Sequence, residues 1–127
     1  MPEAAHYPQQ APIEAYGNGG FRFADMSHRG SLLCLPSGMQ AWDVETARQL
    51  TLESLRPVFE VAAEIDVLLI GLGSDIAGLQ REIRDTLRAE SIIVEGIATG
   101  GAVRTYNVLL GEGRAVAAAL IAVDSAG

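Results

Sequence analysis

The chain has 127 residues, 49% of them hydrophobic and 20% charged, with a formal net charge of −7. That length suits one domain, able to bury roughly two thirds of the surface its unfolded form exposes. The charge repels phosphate backbones and anionic lipid, which argues against nucleic acid and membrane surfaces as partners. All nine cations are arginine, so a Schiff-base lysine and a P-loop lysine are excluded. The single cysteine, Cys34, cannot form an internal disulfide, and nothing argues for an oxidising compartment.

Residues 1–12, MPEAAHYPQQAP, show no period, no positive segment and no long apolar run. They read as a loose arm rather than a signal peptide, ahead of one α/β domain over residues 13–127. The longest apolar run, AVAAALIAV at 115–123, is too short to span a bilayer. The expectation is a soluble, cytoplasmic protein.

IEAYGNGGFRF (13–23) places Asn-Gly and Gly-Gly between short runs with aromatics, a hairpin signal. SLLCLPSGMQAWD (31–43) repeats the pattern around Pro-Ser-Gly. LESLRPVFEVAAE (52–64) puts Leu55, Val58, Phe59 and Ala62 on one helical face, with Pro57 confined to the first turn and Ser54 favoured over Thr51 as cap. IDVLLIG (65–71) suits a strand covered on both faces. DIAGLQREIRDTLRA (75–89) has helical spacing through Ile76, Leu79, Ile83 and Leu87, and SIIVEG (91–96) reads as a second buried strand. A helix from Thr99 follows. The closing run 115–123 is ambiguous, since alanine favours helix and a short apolar run suits a strand. Gly113, which breaks the preceding helix, and the established alternation decide for strand. The expected fold is α/β, three-layered, with a mixed central sheet flanked by helices and the N-terminal hairpins adding a small further β layer.

Two glycine turns follow the predicted strands. Gly71-Leu72-Gly73-Ser74-Asp75 departs from the dinucleotide fingerprint, because Ile76 stands where a third glycine belongs and Asp75 sets a negative charge where phosphate would sit. A tight turn capped by Ser74 or Asp75 is the plainer reading. Thr99-Gly100-Gly101 opens the last helix, with Thr99 as its expected cap and first-turn N–H groups unshielded by side chains. Arg104 lies one turn inside. If the two strands are parallel neighbours, both turns emerge at one rim, where open α/β sheets take ligands. The candidate ligand-binding set is Gly71, Gly73, Ser74, Thr99, Gly100, Gly101, Arg104, Asn107 and Arg114. A helix start packed tightly on the sheet is the competing reading.

At about 100° per residue, Ala102, Val103, Tyr106, Leu109 and Leu110 share a face. Tyr106 then reads as a core anchor whose hydroxyl finds one partner. Asn107, on the edge of the stripe, suits a bond to loop backbone. Arg104 points outward. Arg81, Arg84 and Arg88 form a stripe within reach of Asp85, in pairs worth roughly 0.2–0.5 kcal/mol each. The alternative is a docking patch for an acidic partner. His6 and His28 have no metal-ligand spacing with Cys34, so neither metal nor cofactor is expected. Cys34 reads as a small core residue. No catalytic constellation is readable.

IDVLLIGLGSD and SIIVEGIATGGAVRTYNVLLGEGRAVAAALIAV, with the run Arg104-Thr105-Tyr106-Asn107 and then Glu112-Gly113-Arg114, resemble the domain of unknown function 498 family. The resemblance covers residues 64–123 and, more loosely, the hairpins at 13–43. It implies a three-layer α/β fold with a mixed sheet and a final strand. Members of that family include a mitochondrial respiratory complex I assembly factor and an adipogenesis-associated protein. It supplies no catalytic residues. The first functional expectation is therefore a non-enzymatic protein-interaction or assembly-factor domain, monomeric or homodimeric, with unidentified protein partners. The second is a small-molecule or anion site, of a binding protein or an enzyme, between the glycine turns. There Ser74 and Gly101 would offer N–H groups, and Arg104 or Arg114 would neutralise an anion.

Overall fold

The three branched, apolar runs of the second half become the parallel part of one sheet. The computed structural model describes residues 7–74 and 78–125. Strands β1 (Ala15–Gly17), β2 (Gly20–Phe23) and β3 (Met26–Arg29) form a small antiparallel sheet. Strands β4 (Ser31–Leu35), β5 (Gly38–Trp42), β6 (Val67–Gly71), β7 (Ile93–Ile97) and β8 (Val116–Leu120) form the main sheet in the order β5-β4-β8-β6-β7. β6 pairs parallel with β7 and β8, while β4 pairs antiparallel with β5 and β8. The sheet is mixed, as expected. Only the first hairpin joins the additional β layer; the second extends the main sheet.

Both faces of the main sheet are covered over β4, β6 and β8, which carry near-continuous apolar runs rather than alternation, whereas β7, expected as a second buried strand, is an edge strand with Ile93 and Glu95 exposed. On one face Leu33, Leu68, Ile70, Ala117 and Ala119 pack with Ile83 and Leu87 of helix α2 (Arg81–Ala89) and with Leu55 and Val58 around helix α1 (Arg56–Glu60). On the other, Leu32, Cys34, Leu69, Ala118 and Leu120 meet Ala102, Val103 and Tyr106 of helix α3 (Thr99–Gly111), together with Phe21 and Phe23 of the small sheet. The ambiguous alanine run is thus the central strand. Its side chains are wholly buried, and their small size admits a layer on each side.

Local chemistry explains the turns. Asn18 and Gly19 join β1 to β2 with φ of 52° and 77°, the left-handed pair that an Asn-Gly hairpin supplies. α3 stops at Gly111, and Gly113 follows with φ of 77°.

Four further expectations are corrected. The helix over 52–64 breaks into a 3-10 turn (Glu53–Leu55), the short α1 and a second 3-10 turn (Ala62–Glu64), because Pro57 restricts it at one end and Val61 leaves helical geometry at φ −122°, ψ 25°. Ser54 does not cap α1; it exchanges hydrogen bonds with Thr51. The helix expected over 75–89 is seen from Arg81, while residues 75–77, with Asp75 and Ile76, lie outside the described residues. The arm, expected loose over residues 1–12, is fastened from residue 7. Tyr7 exchanges two backbone bonds with Met39, and the Gln10 amide donates to the Val116 carbonyl at 2.7 Å. His6 lies outside the described residues.

Candidate functional site

Because β6, β7 and β8 run parallel, all three end at one rim. The turns Gly71–Gly73 and Thr99–Gly101 therefore meet there, beside the chain leaving β8. Thr99 is the hub. It is fully buried and is the first residue of α3, with Ala98 at the cap position and no side-chain cap. Its hydroxyl donates to the Ile121 carbonyl at 2.7 Å and accepts the Gly73 N–H at 3.0 Å. Its own N–H donates to the Gly73 carbonyl at 3.0 Å. The expected cap is thus an inter-loop tie, since α3 starts hard against the sheet and its first side chain points inward. Leu72 N–H to the Ile97 carbonyl and Ile121 N–H to the Gly71 carbonyl complete the seam.

The glycines admit the chain itself. A Cβ on Gly71 would stand 3.0 Å from both Thr99 Cα and Thr99 Oγ1. One on Gly100 would run into the hydroxyl end of Tyr16. Gly101 faces Ile97, whose Cδ1 lies 3.4 Å from the position a Cβ would take. Ser74 is exposed at the outer lip, and Arg104 is exposed one turn along α3. Seven of the nine candidate residues thus gather at or beside this rim.

Asn107 and Arg114 do not join them. Asn107 Oδ1 accepts the Ile13 N–H at 2.8 Å, and Nδ2 donates to the Ile13 carbonyl at 2.9 Å. The side-chain amide thus imitates a neighbouring strand for the N-terminal segment. Arg114 precedes the start of β8 and therefore stands at the opposite rim. Asn107→Ala is expected to cost about 1–3 kcal/mol, the range for losing such bonds. A lowered urea midpoint and faster proteolysis near residue 13 would check it.

A groove of about 810 Å³ opens on the far side of the seam. It lies between Leu72–Ser74, residues 45–50 and residues 121–124, and carries Arg48 together with the acids Glu45 and Asp124. Sequence reasoning missed the 45–50 and 121–124 walls, which have no period or motif to flag them. Among the described residues no group of three or more His, Cys, Asp or Glu converges as a metal site.

The core beneath holds two titratable groups. Tyr106 is fully buried and donates to the Ala11 carbonyl at 2.7 Å, as an anchoring tyrosine should. Burial pushes its phenol well up, with the neighbouring Cys34 adding to the effect. Burial likewise pushes the Cys34 thiol up, only partly offset by a hydrogen bond with Tyr106. Both groups are therefore held neutral in the fold. Their stabilisation is complete below the unfolded thiol pKa of about 8.5 and is lost as pH rises past that value, with the phenol contributing beyond about 10. The urea midpoint should be level from about pH 7 to 8 and fall above about pH 9. Cys34→Ala should flatten the first part of that fall.

These features define a small α/β domain with a mixed five-stranded sheet, a docked three-stranded sheet and a hydrogen-bonded seam across its parallel strand ends. The family model described as "Protein of unknown function (DUF498/DUF598)" matches residues 13–121, and the chain belongs to that family. It is 38% identical over 115 residues to an uncharacterized protein of Rhodobacter capsulatus, covering 91% of this chain and 87% of that one. It is 29% identical over 117 residues to NADH dehydrogenase [ubiquinone] 1 alpha subcomplex assembly factor 3 of Mus musculus, covering 92% of this chain. The match spans only 63% of the mouse protein's length. Among solved structures, a Bartonella henselae protein described as an outer membrane protein superposes with a TM-score of 0.89 at 52% identity. That match covers 94% of this chain and all of the other. Among the described residues, no helix is long and apolar enough to cross a membrane.

Proposed function

We propose that this chain is a protein-docking domain of the assembly-factor kind, working in the cytoplasm as a monomer or homodimer without chemistry of its own. One observation carries the reading. At the rim where an open α/β sheet takes a ligand, the turn Gly71–Gly73 spends its backbone groups on Thr99 and Ile121. Kinship with proteins named as assembly factors adds to it. The test is affinity capture with the tagged full chain in cell extract, at modest salt with gentle crosslinking. The expected result is one protein held in stoichiometric amount. Recovery of no specific protein removes the reading.

The groove beside Gly73 and Ser74 favours a second reading, a small-molecule or anion site. Ser74 would supply an N–H group to it and Arg48, which lines the groove, the counter-charge, whereas Gly101 and Arg104 lie on the α3 side of the seam. A thermal-shift screen of anionic metabolites tests it, since a ligand at a hundred times its dissociation constant adds about 2.7 kcal/mol. No shift across a broad set would sink it.

A further inference from the structure

The docking-domain reading leaves open which surface docks. β7 is an edge of the main sheet. α3 lies over β6 and β8 and only skirts β7. The face of β7 in register with Val67 and Leu69, which bears Ile93 and Glu95, is therefore left beside the helix rather than beneath it. Ile93 is 63% exposed and Val108 of α3 58% exposed, the most exposed large hydrophobic residues among those described. They border the same step. Gly101 marks the flank of α3 turned toward Ile97, and Thr105 and Val108 follow on that flank one and two turns later.

The other side of the edge is lined by arginine. Ile93 N–H bonds the Asp66 carbonyl and the Ile97 carbonyl accepts from Leu72, so the intervening Val94 turns its backbone groups outward. The guanidinium of Arg84 reaches the Val94 carbonyl at 3.4 Å, which places that flank of α2 along the open edge. Arg81 and Arg88 lie on the same flank, one turn to either side. At about 100° per residue Asp85 falls on the helix crest and Glu82 on the opposite flank. Arg104 stands on the α3 side, by Gly100 and Gly101.

The self-pairing that Asp85 offered does not form. Among the described residues, ion pairs join Arg22 to Glu14 and Arg56 to Glu53, and none involves Arg81, Arg84, Arg88 or Arg104. In a chain of net charge −7, three of the nine arginines thus border one sheet edge with no ion-pair partner among the described residues, and Arg104 stands nearby over the first turn of α3, between Ile97 and Tyr16.

We propose that this edge docks an acidic, aliphatic-bearing segment of a partner protein, with its carboxylates on Arg81, Arg84 and Arg88 and its aliphatic side chains on Ile93 and Val108. The proposal rests on the docking-domain reading and deepens it. Arg81 to Arg88 spans about 10 Å along the helix, the reach of about three extended residues. The recognition element is therefore short. Association should be steered by charge and should slow as salt rises.

A photo-crosslinking residue placed in the full chain at Ile93 or Val108, with a control at exposed Ala63, tests this in cell extract. The expected products appear at the first two positions and not at the control. Their partner peptides carry more Asp and Glu than Lys and Arg, and yield drops at least fivefold in the double variant Arg84→Glu, Arg88→Glu. Arg84→Gln with Arg88→Gln, checked for native circular dichroism, should also lose yield, which separates charge from folding. Product only at Ala63, neutral or basic partner peptides, crosslinked nucleic acid or lipid, or an unchanged yield in both variants overturns the proposal. If the tagged chain captures its partner while Ile93 and Val108 give no product, the surface alone is wrong. If nothing is captured by either route, the docking-domain reading falls with it.

Discussion

Thr99→Val is expected to lower the unfolding free energy by roughly 2–5 kcal/mol. The side chain keeps its volume, so the packing term is small and the polar term dominates. The substitution orphans the Gly73 N–H and the Ile121 carbonyl, both held by one hydroxyl inside a fully buried site. An unsatisfied buried group costs about 1–3 kcal/mol. Thr99→Ser, which keeps the hydroxyl, should recover most of the loss. Urea denaturation of the three proteins, read as midpoint at constant slope, checks it. A valine variant within a few tenths of a kcal/mol of the wild type would show that the seam is incidental.

Tyr106→Ala should cost about 3–5 kcal/mol, the range for removing a buried aromatic side chain. Tyr106 ranks among the largest fully buried side chains of the chain and packs with Ala118 and Leu120 of the central strand. Its loss opens a cavity and leaves the Ala11 carbonyl without its donor. Tyr106→Phe isolates the polar part, about 1 kcal/mol. A phenylalanine variant as damaged as the alanine variant would place the anchor's value in the hydrogen bond rather than in packing.

The contrast between Tyr106 and Thr99 shows where legibility in the sequence stopped. Tyr106 lies on a helical stripe that can be drawn from its neighbours, and so does the edge position of Asn107. Their roles follow from local periodicity, and the structure supplies only the partners Ala11 and Ile13. Thr99 acts on Gly73 and Ile121, which lie 26 and 22 residues away. No local pattern encodes that, so an expected cap became a tie. The parallel delivery of both glycine turns to one rim followed from alternating strands and helices, because crossover connections return a strand in the same direction. Strand order does not follow from alternation, so the exposed edge position of β7 and the arginines gathered on it were not readable. Three arginines on one helix flank were visible; that none of them pairs with an acid among the described residues was not. β3, with Met26, Ser27, His28 and Arg29, has no apolar period, so a β setting for His28 was legible but the bounds of the strand were not.

The position of β8 has a consequence for biogenesis. β8, the last of the described strands in chain order, is inserted between β4 and β6, and the turn at Asn18 and Gly19 closes on the carbonyls of Asp124 and Val123. While the ribosome still holds residues 116–124, neither half of the sheet has its neighbour. The apolar margins of β4 and β6 are then bare together. Such late, long-range closure is slow and leaves the nascent chain exposed to misassociation. The sheet therefore closes only once β8 is free to pair, and until then the nascent chain depends on whatever shields those two unfinished margins.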